Sequence, residues 1–232
     1  MSALDPLVRA HQDWLGMLQP SGLFLAPRVL ADAGAAPTEP IADAQHALTA
    51  LAPDGALRDP VALFRDVLGW PDDVFAHGDA VPAALTVTLD GGVTLTPSFV
   101  LHDLDTRAPV LLGVVADPSL DLDDATDDAV WSASAQQRLE RLLRARECPV
   151  GVLTNLRAVR VVYAPRGEAT AHATWRLRDL VTVAGRPLLA ALHMCLNVRR
   201  LLTLDPAERL PALLAKSREF QNGVSTRLQG QA

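Results

Sequence analysis

The chain has 232 residues, of which 49% are hydrophobic, and a formal net charge of −6, so it can bury a sizeable core as one large domain or two small ones. No run approaches the roughly 18 uninterrupted apolar residues of a bilayer-spanning helix, and the opening MSALDPLVRAHQDW lacks the basic and apolar regions of a secretory signal. A cytoplasmic protein with no membrane partner is therefore expected.

The first portion reads as helical. In PLVRAHQDWLGMLQ, residues Leu7, His11, Trp14, Leu15 and Leu18 recur at three- and four-residue spacings, the apolar stripe of a helix packed on a core. The Pro- and Ala-rich LAPRVLADAGAAPTEP reads as a partly irregular connection. Two further helices, PIADAQHALTALA and DPVALFRDVLG, follow, each with Pro near its start.

From Ala84 the period changes. ALTVTLDGGVTLTPSFVL alternates apolar with polar residues around Asp90-Gly91-Gly92, the pattern of a hairpin whose turn needs positive φ. PVLLGVVA is an unbroken apolar strand suited to the middle of a sheet covered on both faces. SASAQQRLERLLRAREC is the clearest helix, with Ser132 or Ser134 as N-cap and Leu139, Leu142 and Leu143 as its buried side. VGVLTN, AVRVVYAP and TAHATWRLRDL read as strands, and RPLLAALHMCLNVRRLL and AERLPALLAKSREFQNGVSTRLQ as terminal helices. The sum is an α/β core with helical additions at both ends. It divides into a helical portion at residues 1–80, an α/β core at 81–183 and C-terminal helices at 184–232.

Charge is split along the chain. Residues 1–135 carry 5 Arg against 20 acidic residues, a net −15, whereas residues 136–232 carry 16 basic residues against 7 acidic, a net +9. Such asymmetry suits either a basic part that meets an anionic partner, nucleic acid above all, or two halves that face each other. Arg138, Arg141 and Arg144 stand at helical spacings, and Arg157, Arg160 and Arg176 come from neighbouring strands and turns, with Arg146, Arg166 and Arg178 nearby. These are the candidate DNA-binding residues, each contact with phosphate adding salt-dependent affinity. The alternative is a solvated helix face, or pairing with the acidic first portion.

The order of elements resembles the core of the PD-(D/E)XK nuclease fold, which implies a mixed central sheet. A closer resemblance is carried by WSASAQQRLERLLRARECPVGVLTNLRAVRVVYAPRGEATAHATWRLRDLVTVAGRPLLAALHMCLNVRRLLTL and, less specifically, by RLPALLAKSREFQNGVSTRLQ. These stretches are similar to the N-terminal domain of large adenine-specific DNA methyltransferases of type IIG restriction-modification enzymes and of phage-defence systems such as DISARM. In that family a Trp precedes a helix of the RLERLLR type, then P-hydrophobic-G-hydrophobic-L-T-N and an R-hydrophobic-V-Y-A-P-R-G strand. Residues 94–230 are covered, and Trp131 to Gly167 is the specific part. Relatives usually carry Gly after LTN and an aromatic near the start of the next strand, where this chain has Leu156 and Val159. The resemblance implies partners in DNA and in a methyltransferase body, or a partner subunit of a defence complex, beyond the C-terminal helices.

Nucleases of that fold hold a divalent cation between an acid at the end of a hairpin strand and an acid-x-Lys on the next strand; the cation polarises the phosphate and activates a water. The matching positions here are Ser98, Gly113 and Val115, and Val110 to Ala116 contains neither acid nor base. The sole lysine, Lys216, lies in a terminal helix, and Arg does not trade protons because its pKa stays above about 12. No catalytic residue, metal or cofactor is expected. Asp117, Asp121, Asp123, Asp124, Asp127 and Asp128 form either a displaced metal site, with Glu140 as one further ligand, or a solvated loop capping turns. The displaced site would make the chain an active metal-dependent endonuclease; loss of the basic grip would leave a docking module without DNA affinity.

Other chemistry finds no motif. His11, His46, His77, His102, His172 and His193 show no metal-binding spacing, and His11 and His193 read as core residues. Cys148 and Cys195 read as buried free thiols. Neither Gly-x-Ser-x-Gly, a P-loop nor the motifs of an adenine methyltransferase occur.

Overall fold

The computed structural model describes residues 5–126 and 131–229. Helix α1 (Pro6–Leu18) begins where the Asp5 side chain accepts from Leu7 N–H at 2.9 Å, and it buries Val8, His11, Trp14 and Leu15. Helix α2 (Pro27–Asp32) forms where an irregular connection was expected, because Pro27 presets the first turn and Leu30 is buried beneath it. Helix α3 (Ala42–Leu51) follows. Helix α4 (Pro60–Ala62) widens into a π-helix over Leu63–Val67, which turns Leu63, Phe64 and Val67 inward.

The sheet then begins inside the portion read as helical, with β1 (Phe75–His77). The expected hairpin closes on Gly91 and Gly92, both at positive φ, but only as a short ribbon of β2 (Val87–Thr88) and β3 (Thr94–Leu95) outside the main sheet. The main sheet continues with β4 (Phe99–His102) and β5 (Pro109–Val115). A second two-stranded ribbon, β6 (Ala125–Thr126) with β7 (Ala133–Ser134), leads into α5 (Ala135–Ala145). Ser134 caps α5 in a reciprocal capping box with Gln137, and Leu139, Leu142 and Leu143 are buried, as the spacing predicts. Strands β8 (Val150–Thr154), β9 (Ala158–Tyr163) and β10 (Ala171–Arg176) complete the sheet. Short α6 (Leu177–Leu180), α7 (Arg186–Leu196) and α8 (Leu210–Gln229) close the chain, with a π-helix at Arg199–Thr203 between the last two.

Six strands pair in the order β1-β4-β5-β8-β9-β10, all antiparallel except β5 with β8. That parallel pair is joined by a crossover through α5, which covers one face. The fold is therefore α/β with a mixed central sheet. Alternation along the strands sorts side chains into two cores. Leu112, Leu153 and Val162 meet Leu139, Leu142 and Leu143 of α5. Leu111, Val152, Val159, Val161 and Trp175 meet the helical layer on the other face. In that layer Trp14 of α1 stacks on Trp175 at 6.3 Å, and the N- and C-terminal helices share one core. No helix among the described residues is long and apolar enough to cross a membrane.

Candidate nucleic-acid interface

The three positions where a nuclease of the resembling fold would carry its metal ligands come together across β4 and β5. Ser98 N–H donates to Gly113 O at 2.8 Å, Phe99 stands opposite Gly113, and Val115 N–H donates to Ser98 Oγ at 3.0 Å. The Ser98 hydroxyl is thus engaged by backbone. At Gly113 there is no room for any side chain, because a β-carbon would lie 2.0 Å from the Phe99 ring. That ring is locked into an aromatic cluster with Phe64, Trp70 and Phe75, at centroid distances of 4.5, 6.3 and 5.9 Å. Val115 packs against the same core. Apolar mass fills the ground on which a carboxylate at position 113 would have to stand.

The aspartates that follow β5 are employed in turns. Asp117 accepts from Ser119 N–H at 2.8 Å and from Ser119 Oγ at 2.6 Å, and these bonds hold its carboxyl below the usual range. Asp121 and Asp124 exchange backbone contacts with their own loop. Asp123 makes a bidentate pair with the Arg160 guanidinium, at 2.6 and 2.8 Å, which lowers its pKa. Glu140 accepts from Gln136 and Arg144 along α5. Asp127 and Asp128 lie outside the described residues. Among the described residues no three His, Cys, Asp or Glu side chains group as metal ligands.

The six candidate arginines separate into two kinds. Arg138, Arg144 and Arg160 hold the protein together. Arg138 reaches Thr126 Oγ1, the Trp131 and Ala133 carbonyls and the Trp131 ring, bracing the ribbon before α5. Arg144 donates to Thr170 Oγ1 at 2.7 Å and to Glu140, tying α5 to the turn before β10. Arg160 is only 5% exposed and, besides Asp123, donates to Thr174 Oγ1 and Gln136 Oε1. The basic ridge expected along α5 is thereby reduced to Arg141, which is exposed and has no partner among the described residues.

Arg157 and Arg176 are of the other kind. Both side chains are exposed and make no hydrogen bond or ion pair among the described residues, and both line one groove of about 390 Å³. Arg178 joins them there; its contact with Asp179 is loose at 3.7 Å, with the Arg178 side chain 69% exposed. The groove lies at the C-terminal ends of the parallel strands β5 and β8, where open α/β sheets place their ligands. It continues past Asn155 and Arg176 into a neighbouring depression of about 480 Å³ that reaches Arg160 and Thr174.

Its rigidity comes from the LTN stretch. Asn155 Oδ1 accepts from Arg157 N–H at 3.2 Å and Ala158 N–H at 3.0 Å, while Asn155 Nδ2 donates to Leu120 O at 2.9 Å, fastening the turn to the aspartate loop. Leu156 adopts φ 66°, the left-handed region that favours glycine. Leu57 N–H donates to Leu156 O at 2.7 Å, and Leu156 packs against the core, so neighbours hold the strained residue. Across the groove, Leu177 N–H donates to Arg157 O at 2.9 Å. Gly55 at φ 72° lets its loop close against Arg178, where a β-carbon would come within 2.8 Å. Asn155 and Gly55 shape the site although neither carries a charge. The signal for the first was an Asn ending a strand, where its side chain can close an Asx turn.

Both thiols are buried, which pushes each up to about 12 and leaves them inert. No protein-family model, no curated protein and no solved structure matches this chain.

Proposed function

We propose that this chain is a catalytically inactive domain of the PD-(D/E)XK nuclease type that contacts DNA through the groove of Arg157, Arg176 and Arg178. In this reading it serves as the N-terminal, DNA-gripping or scaffolding module of an adenine-specific DNA methyltransferase in a restriction or phage-defence system. One observation carries the reading: of the would-be metal positions, the Ser98 hydroxyl is held by Val115 N–H and Gly113 is closed by the Phe99 ring, while a groove lined by Arg157, Arg176 and Arg178 stays open. The mixed sheet, with its α-crossover between parallel β5 and β8, supports the nuclease-type core. The methyltransferase setting rests on the resemblance of Trp131 to Gly167.

A second reading, a docking module without affinity for DNA, is favoured by a different surface. An apolar groove of about 630 Å³ runs between α1 and α7, lined by Trp14, Ile41 and Ala190, with Met17 54% exposed at its edge. The two readings part in one experiment. The purified chain is titrated against linear duplex and single-stranded DNA across a salt series with Mg and Mn present, and product length is followed in the same samples. Salt-sensitive binding without cleavage is expected; absent binding would leave the docking module, and metal-dependent cutting would return the aspartate loop to consideration.

A further inference from the structure

The arginine groove is built for a compact anion rather than for a long backbone. Arg157 sits on the β8–β9 turn, Arg176 ends β10 directly opposite Ala158, and Arg178 follows two residues later against Gly55. The three stems thus rise within about two strand spacings, roughly 10 Å, of one another. Side chains so close, lining one concavity, converge on a single site instead of following successive phosphates along a helix. The lining opposes a long polyanion: Asp54 and Asp121 also line the groove, the latter in the loop that carries Asp117, Asp123 and Asp124. A duplex laid across the mouth would bring its phosphates against these carboxylates, whereas a short anion entering the groove meets the guanidinium groups first.

From this geometry we infer that the groove is a pocket for a phosphate monoester, the terminal phosphate of a nucleic-acid strand or of a free nucleotide. The inference rests on the DNA-contacting reading and narrows it to strand ends. A terminal phosphate carries roughly two negative charges and three strong acceptor oxygens, against one charge for an internal phosphodiester. It can therefore use three arginines at once. The fork geometry of guanidinium suits bidentate contact with phosphate oxygens. The Asn155 turn and the Leu177–Arg157 backbone bond hold the stems in place beforehand, which lowers the ordering cost of binding.

The test uses the full chain and short single-stranded oligonucleotides of one sequence with a 5′-phosphate, a 3′-phosphate or hydroxyls at both ends. Nucleoside monophosphate serves as competitor, and covalently closed circular duplex as a ligand without ends. A phosphorylated end is expected to bind at least about tenfold more tightly than the hydroxyl-ended strand, the preference being lost in Arg157→Gln/Arg176→Gln. Competition by the monophosphate at concentrations near the oligonucleotide's own Kd assigns the pocket to any phosphate monoester; failure of that competition while the end preference persists assigns it to strand ends. Equal binding of phosphorylated, hydroxyl-ended and circular DNA, reduced by the same variant, would overturn the inference while leaving DNA contact standing. No binding of any of these ligands would overturn both. Thermal melting of the variant in parallel separates a lost site from a lost fold.

Discussion

Gly113 shows how one residue can settle what a site is able to do. A carboxylate there would need a β-carbon in the space held by the Phe99 ring, and that ring is hemmed in by Phe64, Trp70 and Phe75. An acid at position 113 would therefore strain the core before it could bind a cation. Gly113→Ala already overpacks the cluster, and we expect it to lower unfolding free energy by about 1–3 kcal/mol, read from urea denaturation. A neutral result would mean that the ring can move aside and that the position is open to chemistry. Arg160 makes a complementary point. Read alone, it is one more basic residue in a basic stretch; in the fold it is buried, doubly paired with Asp123 and bonded to Thr174 and Gln136, so its charge is spent internally.

The β8–β9 turn is the element on which the proposed interface depends. Asn155 satisfies two backbone N–H groups with one side-chain oxygen and ties the turn to Leu120, so Asn155→Ala removes three hydrogen bonds without touching any charge. We expect it to cost about 1–3 kcal/mol of stability and to weaken DNA binding several-fold with all three arginines still present. Unchanged affinity would show that the arginines need no such support. Elements of this kind mark the limit of what was legible beforehand. Helix α5, its serine cap (Ser134, of the two candidates Ser132 and Ser134) and the strand β5 follow from apolar period and cap chemistry, which are local properties. Helix α2 was missed because Ala- and Pro-rich sequence carries little periodicity. The small size of the β2–β3 ribbon was also missed, since strand length is set by pairing partners far along the chain. The α5 ridge failed for a similar reason: spacing puts Arg138 and Arg144 on a helix, but tertiary neighbours decide whether their ends face water.

Across the whole molecule, buried imidazoles govern the response to acid. Burial holds His11, His102, His172 and His193 below their ordinary value of 6.5; His11 Nδ1 in addition accepts from Trp14 Nε1 at 2.9 Å, a bond its protonation would break. Below 6.5 the unfolded chain binds protons that the native state refuses, so stability is full above that pH and is lost as pH falls through it. The loss saturates below the depressed native values. Asp103, Asp117 and Asp123, held below 3.8 chiefly by hydrogen bonds, begin a second loss under that pH. The urea midpoint measured at successively lower pH should fall in these two stages, and His11→Gln, which keeps an acceptor for Trp14 without titrating, should soften the first. A midpoint flat from neutral to pH 5 would contradict the assignment.

Charge distribution bears on function at the same scale. Of the ion pairs shown among the described residues, Arg160–Asp123 and Arg209–Asp103 join the acidic first 135 residues to the basic remainder, and the others shown stay within one half. Arg157 and Arg176 enter none of these pairs, and Arg178 has only its loose contact with Asp179, so in the proposed reading their charge is available to DNA. The most direct test is the salt dependence of affinity for linear DNA in wild type, in Arg157→Gln/Arg176→Gln/Arg178→Gln and in Arg141→Gln. Wild-type affinity should fall steeply with salt. The triple variant should lose most of that affinity and about two to three units of the log–log slope, and Arg141→Gln should change little. Equal behaviour of wild type and triple variant would contradict the account.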